Sequence, residues 1–261
     1  MTGAMSDDTL MGGRVRLRQP RGGYRVAIDP VLLAACVPAR AGELVLDAGA
    51  GTGAAALCLA ARVAGVDVVG LELFAAHAEL ARANVALNHA SDRIEIVGGD
   101  IARPPPALMP ESFDHVMANP PHLEPGAVRP SPDPGRAAAH VEGEAKLADW
   151  VGACLALARP GASVTFIHRA GRAAEVVAEL ARGAGAIVVL PLLPRHGQAA
   201  KRVLVQARAG AANAGAAQNG AAPGDSPVRT LPGLVLHDAD GAYTDAAEAI
   251  LRGGGALRFD G

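Results

Sequence analysis

The sequence predicts an α/β fold: a Rossmann-like, doubly wound sheet of seven strands, the last of them antiparallel. Three observations support this prediction. Short runs rich in Val, Ile and Leu alternate with stretches that place apolar residues at helical spacing. One strand-to-helix junction is rich in glycine, and a late apolar run follows a loop rich in Pro and Gly. Such alternation is typical of parallel sheets whose crossover connections are helices, and the late run fits a final antiparallel strand.

The predicted strands are short runs that are rich in β-branched residues or leucine. They are Glu43–Asp47, Asp67–Leu71, Arg93–Val97, Phe113–Ala118, Ala162–Ile167, Ile187–Leu190 and Lys201–Ala207. A helix is predicted over Ala54–Ala64, and two more follow from apolar spacing. Their predicted buried faces are Ala76, Leu80, Ala83 and Leu87 in one helix, and Leu147, Trp150, Cys154 and Leu157 in the other.

Four regions divide the chain. Residues 1–40 form an amino-terminal arm with a cap helix, and residues 41–208 form the core. Residues 209–229 consist largely of Ala, Gly, Asn, Gln and Pro and are predicted to be a flexible spacer. Residues 230–261 are a carboxyl-terminal extension expected to pack on the core, with a short extended piece at Leu231–Leu236 and a closing helix N-capped by Thr244.

The bulk composition excludes several function classes. The 261 residues carry a net charge of −2, so any nucleic-acid partner must be met by a local basic patch. Cys36, Cys58 and Cys154 stand singly without ligand spacing, so no metal is expected. The polar, acidic start and the absence of an apolar run near ~20 residues predict a cytoplasmic protein without a membrane partner.

Basic residues gather in two places that could form such a patch. The first is the arm, with Arg14, Arg16, Arg18, Arg21 and Arg25. The second is the stretch that contains Arg195, His196, Lys201 and Arg202. A solvated surface explains each cluster as well as a phosphate contact does.

A glycine-rich turn follows the first core strand. Asp47 precedes Gly49, Gly51 and Gly53, and this GxGxG spacing differs from the GxGxxG of dinucleotide-binding folds. Glycine lets the backbone approach a ligand closely. A carboxylate at Asp47 would repel a pyrophosphate but accept hydrogen bonds from an ammonium group, which disfavours a nicotinamide dinucleotide.

Polar side chains also end the next three strands. Glu72 can accept hydrogen bonds from both hydroxyls of a ribose, and Asp100 can accept one from an adenine amino group beside Ile101. Asn119 ends the fourth strand and is followed by Pro120 and Pro121, which lack N–H groups. Open α/β sheets bind ligands at the carboxyl ends of their strands, so this arrangement predicts a nucleotide-like ligand and a planar amine beside it.

These motifs resemble those of the class I S-adenosylmethionine-dependent methyltransferases, from about Ala41 to Ile167. Two further stretches, Gly12–Pro20 and Gly22–Ala34, are similar to the bacterial tRNA adenine-N6 methyltransferase group, and Lys201–Ala207 strengthens the likeness. The resemblance implies methyl transfer from S-adenosylmethionine, leaving S-adenosylhomocysteine, to an exocyclic amino group, most simply N6 of a tRNA adenine. It implies an RNA partner, and no obligate protein partner is inferred.

The resemblance also implies roles for individual residues. The catalytic segment would be Asn119, Pro120, Pro121 and His122, where many members carry Tyr or Phe in place of His122. The cofactor-binding set would be Asp47, Gly49, Gly51, Gly53, Glu72, Leu73, Asp100, Ile101, Asn119 and Asp29. The substrate set would be Arg14, Arg16, Arg18, Tyr24, Arg129, Lys201 and Arg202.

Several alternatives stay open at this point. Asp29 is more simply a helix N-cap with Pro30 at the first helical position than a cofactor residue. An Asn-Pro-Pro enzyme could instead methylate a protein glutamine or a guanine of ribosomal RNA. A non-catalytic nucleotide- or RNA-binding module is a further possibility, although the intact acidic residues and Asn119 argue against it.

Overall fold

The computed structural model describes residues 5–21, 26–121, 145–210 and 228–259. Seven core strands of its main sheet are β3 Leu44–Ala48, β4 Asp67–Glu72, β5 Ile94–Gly98, β6 Phe113–Ala118, β7 Ala158–Arg169, β8 Ala184–Arg195 and β9 Arg202–Ala209. Their order across the sheet is β8-β9-β7-β6-β3-β4-β5. Only β9 among them runs antiparallel to its neighbours, β7 and β8. The predicted fold class is confirmed.

Helices cover both faces of the sheet. They are α1 Asp29–Cys36, α2 Ala54–Arg62, α3 Ala75–Leu87, α4 Leu147–Leu157, α5 Ala173–Leu180 and α6 Asp245–Leu251. Alternate strand residues enter two separate cores, because successive side chains of a strand point to opposite faces. Val45 packs with α1, α2 and α3, whereas its neighbour Leu46 packs with α4 and α5. Among the described residues, no helix is long and apolar enough to cross a membrane.

The buried face of α3 differs from the predicted one. Ala78, Ala81, Asn84 and Val85 are buried, whereas Ala76 and Ala83 are exposed. Helical spacing of alanines could not identify the face, since alanine is common on every side of this helix. The true face includes one polar residue, Asn84, which is fully buried.

Residues of the predicted arm form an antiparallel hairpin of β1 Met5–Leu10 and β2 Val15–Pro20. Val15 and Leu17 are buried, while Arg16 and Arg18 alternate with them on the exposed face. The hairpin lies against α2 and α3. It is therefore part of the folded structure, and it presents arginine side chains outward.

The carboxyl-terminal region extends the sheet. The short strands β10 Arg229–Thr230 and β11 Leu234–His237 both pair in parallel with β8, so the sheet has nine strands among the described residues. The ends of the predicted spacer, Ala209 and Arg229, thus lie in strands, and residues 211–227 fall outside the described ranges. Thr244 N-caps α6, since its hydroxyl accepts a hydrogen bond from the Ala247 N–H at 3.2 Å.

Candidate active site

The glycine-rich loop joins β3 to α2 at the carboxyl edge of the sheet. Gly49, Gly51 and Gly53 all have positive φ, between 56° and 81°, which favours glycine. A side chain at Gly49 would also meet the Trp150 ring, because an added Cβ would lie 2.6 Å from Cη2. The Gly49 N–H donates to the Leu71 carbonyl at 2.8 Å, which ties the loop to β4.

Glu72 ends β4 and is 5% exposed. Its Oε2 accepts a hydrogen bond from the Gly51 N–H at 2.8 Å, and its Oε1 accepts one from the Phe74 N–H at 2.8 Å. Each oxygen keeps a second lone-pair site. The carboxylate therefore supports the glycine loop and can still accept ligand hydroxyls. The following residue, Leu73, is 56% exposed and offers apolar surface beside it.

Asp47 lies beneath the loop and is 2% exposed. Its Oδ2 accepts a hydrogen bond from the Ala56 N–H in the first turn of α2 at 3.1 Å. Burial raises the pKa of Asp47 to about 7; the Ala56 hydrogen bond lowers it, and the charge of Glu72 adds to the rise. The side chain is thus poised to change its charge near neutral pH.

Asp100 follows the end of β5 by two residues, and its carboxylate is partly exposed. Its Oδ1 accepts a hydrogen bond from the Ala102 N–H at 2.9 Å, and its Oδ2 lies 3.6 Å from Arg103 Nη2. Ile101 is 5% exposed and belongs to the core on that side. Asp100 is the member of the acidic set with the greatest access to solvent.

Asn119 follows the last residue of β6, the central strand that pairs with both β3 and β7. Ala48 and Ala118 are register partners, so Gly49 and Asn119 leave adjacent strands side by side. The Asn119 Oδ1 atom is buried and has no hydrogen-bond partner among the described residues. A buried acceptor of this kind is costly unless a ligand supplies a donor.

His168 lies on β7 close to this segment and was not selected from the sequence. It is fully buried, two residues beyond the register partner of Ala118. Burial lowers the pKa of His168 to about 4, the charge of Arg172 adds to the fall, and the charge of Glu175 opposes it. The ring is therefore neutral at physiological pH. No sequence signal marked it, since it lies in an ordinary apolar run.

Asp29 and Arg202 were predicted for different ligands, but the structure pairs them. Arg202 Nε donates to Asp29 Oδ2 at 3.1 Å, because antiparallel β9 begins at the carboxyl edge beside the start of α1. The N-cap interpretation of Asp29 is wrong: Ile28 holds the N-cap position, and Asp29 is the first helical residue. Lys201, next to the pair, is exposed.

The arginines of the hairpin have different surroundings. Arg14 Nη1 donates to the Gly253 carbonyl at 2.7 Å, just beyond α6. Arg18 Nε lies 3.0 Å from Asp7 Oδ1 in an exposed ion pair. Arg16 is exposed as well. Three other predicted residues, His122, Tyr24 and Arg129, lie outside the part of the chain that the structure describes.

Comparison with known proteins places this geometry in a family. Residues 25–131 match the model of the Methyltransferase small domain. A tRNA1(Val) (adenine(37)-N6)-methyltransferase of Aeromonas salmonicida is 31% identical over 225 residues, covering 85% of this chain and 86% of the relative. A second protein of that name, from Porphyromonas gingivalis, is 40% identical over 106 residues, covering 38% of this chain and 42% of the relative.

Solved structures agree on the fold. A predicted O-methyltransferase from Agrobacterium tumefaciens superposes with a TM-score of 0.71 at 26% identity, covering 89% of this chain and all of that one. A tRNA (m1A58) methyltransferase from Aquifex aeolicus shares the fold, with a TM-score of 0.54 at 16% identity, covering 73% of this chain and 72% of that one. The chain therefore belongs to the same family as the tRNA1(Val) (adenine(37)-N6)-methyltransferase of Aeromonas salmonicida, and it is an S-adenosylmethionine-dependent methyltransferase with the class I fold.

Proposed function

We propose that this protein methylates the N6 amino group of an adenine in a tRNA. The observation that carries the proposal is the buried Oδ1 of Asn119, an acceptor without a partner among the described residues. It lies at the central strand end, directly beside the glycine loop. The names of the relatives from Aeromonas salmonicida and Porphyromonas gingivalis point to the same base and the same class of RNA.

The chemistry of an exocyclic amine explains what Asn119 would do. The lone pair of such an amine is delocalised into the ring, so the nitrogen is a weak nucleophile. It would attack the electrophilic methyl group on the sulfonium of the cofactor, so that an N–C bond forms as the S–C bond breaks and S-adenosylhomocysteine leaves. Asn119 Oδ1 and the Pro120 carbonyl would each accept a hydrogen bond from one N–H group of the amine. These bonds would hold the nitrogen in place and stabilise the positive charge that develops on it. Once the nitrogen is alkylated it is acidic and loses its proton readily to water, so the step needs no general base.

The cofactor would lie across the strand ends, and the side chains present there fit it. Glu72 keeps lone pairs for ribose hydroxyls, Asp100 has exposed carboxylate surface for an adenine amino group, and Leu73 supplies exposed apolar surface. The Thr52 hydroxyl in the glycine loop is buried and has no hydrogen-bond partner among the described residues. It is a further group that a bound cofactor could satisfy.

Asp47 makes cofactor affinity depend on pH. Its pKa of about 7 means that the carboxyl is largely neutral at about pH 6 and ionised at about pH 8. A cationic ligand favours the ionised form, so affinity for S-adenosylmethionine is expected to rise across this interval, with a proton released on binding. Calorimetry in buffers of different ionisation heat measures both quantities.

The control for this prediction is Asp47→Asn, which keeps an oxygen for the Ala56 N–H but cannot titrate. The amino group of the cofactor also titrates near neutral pH. Because the variant side chain cannot titrate, the pH dependence that remains in the variant is the part that the cofactor contributes. We expect the variant to bind more weakly at about pH 8 and to lose most of the rise. An identical pH profile in both proteins would exclude Asp47 as its source.

The RNA would meet the protein through the hairpin. Arg16 is exposed on β2, so Arg16→Ala should weaken RNA binding about equally for all sequences and reduce the salt slope by about 1. Arg182 is the matched control, because it is exposed and directly follows α5, which packs on β8 and β9, whereas α3 beside the hairpin packs on β4 and β5. Filter binding at several salt concentrations distinguishes them. Equal salt slopes of RNA binding in the wild type and both variants would argue against the hairpin as the RNA-binding surface.

The base itself would have to leave its stack to reach Asn119. His122 would pack against it, with Tyr24, Arg129, Lys201 and Arg202 as further substrate contacts. Among these residues, the structure supports substrate contact least for Arg202, because its guanidinium already donates a hydrogen bond to Asp29.

The substrate class is tested by offering three pools together with methyl-labelled cofactor: unmodified tRNA, ribosomal RNA and protein. Label confined to tRNA supports the proposal. Label in protein would favour a glutamine side chain as acceptor, and label in ribosomal RNA would favour guanine. Cofactor binding without transfer to any pool would favour a non-catalytic binding module.

A further inference from the structure

Two asparagine side chains, Asn84 on α3 and Asn88 directly after its last residue, run along the free edge of β2. Asn84 Oδ1 accepts a hydrogen bond from the Arg18 N–H at 2.8 Å, and its Nδ2 donates to the Arg18 carbonyl at 2.9 Å. One turn later, Asn88 Oδ1 accepts from the Arg16 N–H at 2.8 Å, and its Nδ2 donates to the Arg16 carbonyl at 2.6 Å. Each carboxamide thus replaces a neighbouring strand for one residue of the hairpin.

Asn84 makes one contact that Asn88 does not. Its Nδ2 also donates to the Thr52 carbonyl at 3.0 Å, inside the glycine-rich loop between Gly51 and Gly53. The second Asn88 Nδ2 bond goes instead to the backbone of α3, at the Asn84 carbonyl. Asn84 therefore joins the hairpin, α3 and the loop, whereas Asn88 joins only the hairpin and α3.

Packing alone does not explain an asparagine at position 84. It is fully buried on a helix face whose other buried members include Ala78 and Ala81, so a small apolar residue would suit the packing. A buried carboxamide is costly unless its polar atoms are satisfied. Here both polar atoms are used, and every partner is a main-chain atom of a segment expected to contact a ligand.

We propose that Asn84 is a positioning residue that fixes the basic hairpin and the glycine-rich loop relative to each other. One side chain would then support RNA binding through Arg16 and Arg18 and cofactor binding through the loop around Thr52. The RNA half of this inference rests on the proposed function. The cofactor half needs only the methyltransferase activity, so the two can fail separately.

The test compares Asn84→Asp with Asn88→Asp. Both changes preserve shape and the acceptor oxygen, but each removes the N–H donors. We expect Asn84→Asp to raise the Kd for S-adenosylhomocysteine and the KM for tRNA by about tenfold each, with kcat at saturation within about twofold. Asn88→Asp should raise the KM for tRNA and leave the cofactor Kd unchanged.

Two results would overturn the inference. One is a folded Asn84→Asp protein whose cofactor Kd stays within about twofold of wild type. The other is an equal rise in cofactor Kd for both variants, which would mean general loosening of α3. A tRNA KM unaffected by either variant, together with the expected split in cofactor Kd, would count against the hairpin as the RNA surface and leave the loop contact standing.

Hydrogen exchange on the wild-type protein keeps the inference testable if Asn84→Asp does not fold. The Arg18 N–H reports directly on its bond to Asn84. Binding of S-adenosylhomocysteine should slow exchange in the peptide that covers residues 15–20 by several-fold, because ordering the loop restricts opening of the Asn84 contacts. Unchanged exchange there, with the glycine loop protected, would overturn the proposal.

Discussion

Replacing Asn119 with alanine is expected to lower kcat by at least about 10³-fold, while S-adenosylhomocysteine binds with nearly wild-type affinity. The side chain has its buried Oδ1 free among the described residues, at the end of the central strand. Its proposed role is to hold the acceptor amine and stabilise the charge that develops there, and cofactor residues on β4 and after β5 stay in place. Single-turnover kinetics and calorimetry measure the two quantities separately.

Asn119→Asp is the informative companion. A carboxylate of the same shape still accepts N–H bonds, so this variant should retain more turnover than Asn119→Ala. Turnover of Asn119→Ala within about tenfold of wild type would contradict the role given to the side chain. A parallel loss of cofactor affinity would instead mean that the substitution disturbs the neighbouring glycine loop.

Replacing Glu72 with glutamine is expected to raise the Kd for S-adenosylhomocysteine by about 100-fold, equivalent to about 2.7 kcal/mol. The Glu72 carboxylate accepts hydrogen bonds from the Gly51 and Phe74 N–H groups, one on each oxygen. A glutamine keeps one oxygen but turns an NH₂ group toward the other N–H donor. The charge-assisted bonds are lost, and two donors face each other.

Glu95→Gln provides the matched control, since Glu95 lies on the neighbouring strand β5 but is exposed. Isothermal titration should show unchanged cofactor affinity for that variant. Unfolding curves of both proteins separate a local effect on the loop from a global loss of stability. A Kd for Glu72→Gln within about threefold of wild type would show that the carboxylate is dispensable for cofactor binding.

The central sheet could be predicted because its strands are short apolar runs that end in polar residues. Phe113–Ala118 is found with its predicted bounds, and Asp47, Glu72 and Asn119 all lie at the carboxyl edge. Parallel strands bring their ends to one edge whatever their distance in sequence, so local patterns were sufficient there.

Other features depend on contacts that no local pattern encodes. The sequence of β1, Met5–Leu10, is mostly polar, and it is a strand because β2 pairs with it and α3 holds β2. The Asn84 carboxamide bonds to residues far away in sequence, at Arg18 and Thr52. Glu72 was expected to face a ribose, and its bonds to Gly51 and Phe74 could be known only from the folded loop.

Identification of the methylated nucleoside shows whether Asn119 holds an adenine amino group for methylation. Unmodified tRNA is incubated with S-adenosylmethionine and wild-type protein or Asn119→Ala, digested to nucleosides and analysed by mass spectrometry. We expect N6-methyladenosine with the wild-type protein and, over the same reaction time, at least about 10³-fold less with the variant. A methyl group on a ring nitrogen, a ribose or guanine, or equal yields of N6-methyladenosine from both proteins, would contradict this expectation.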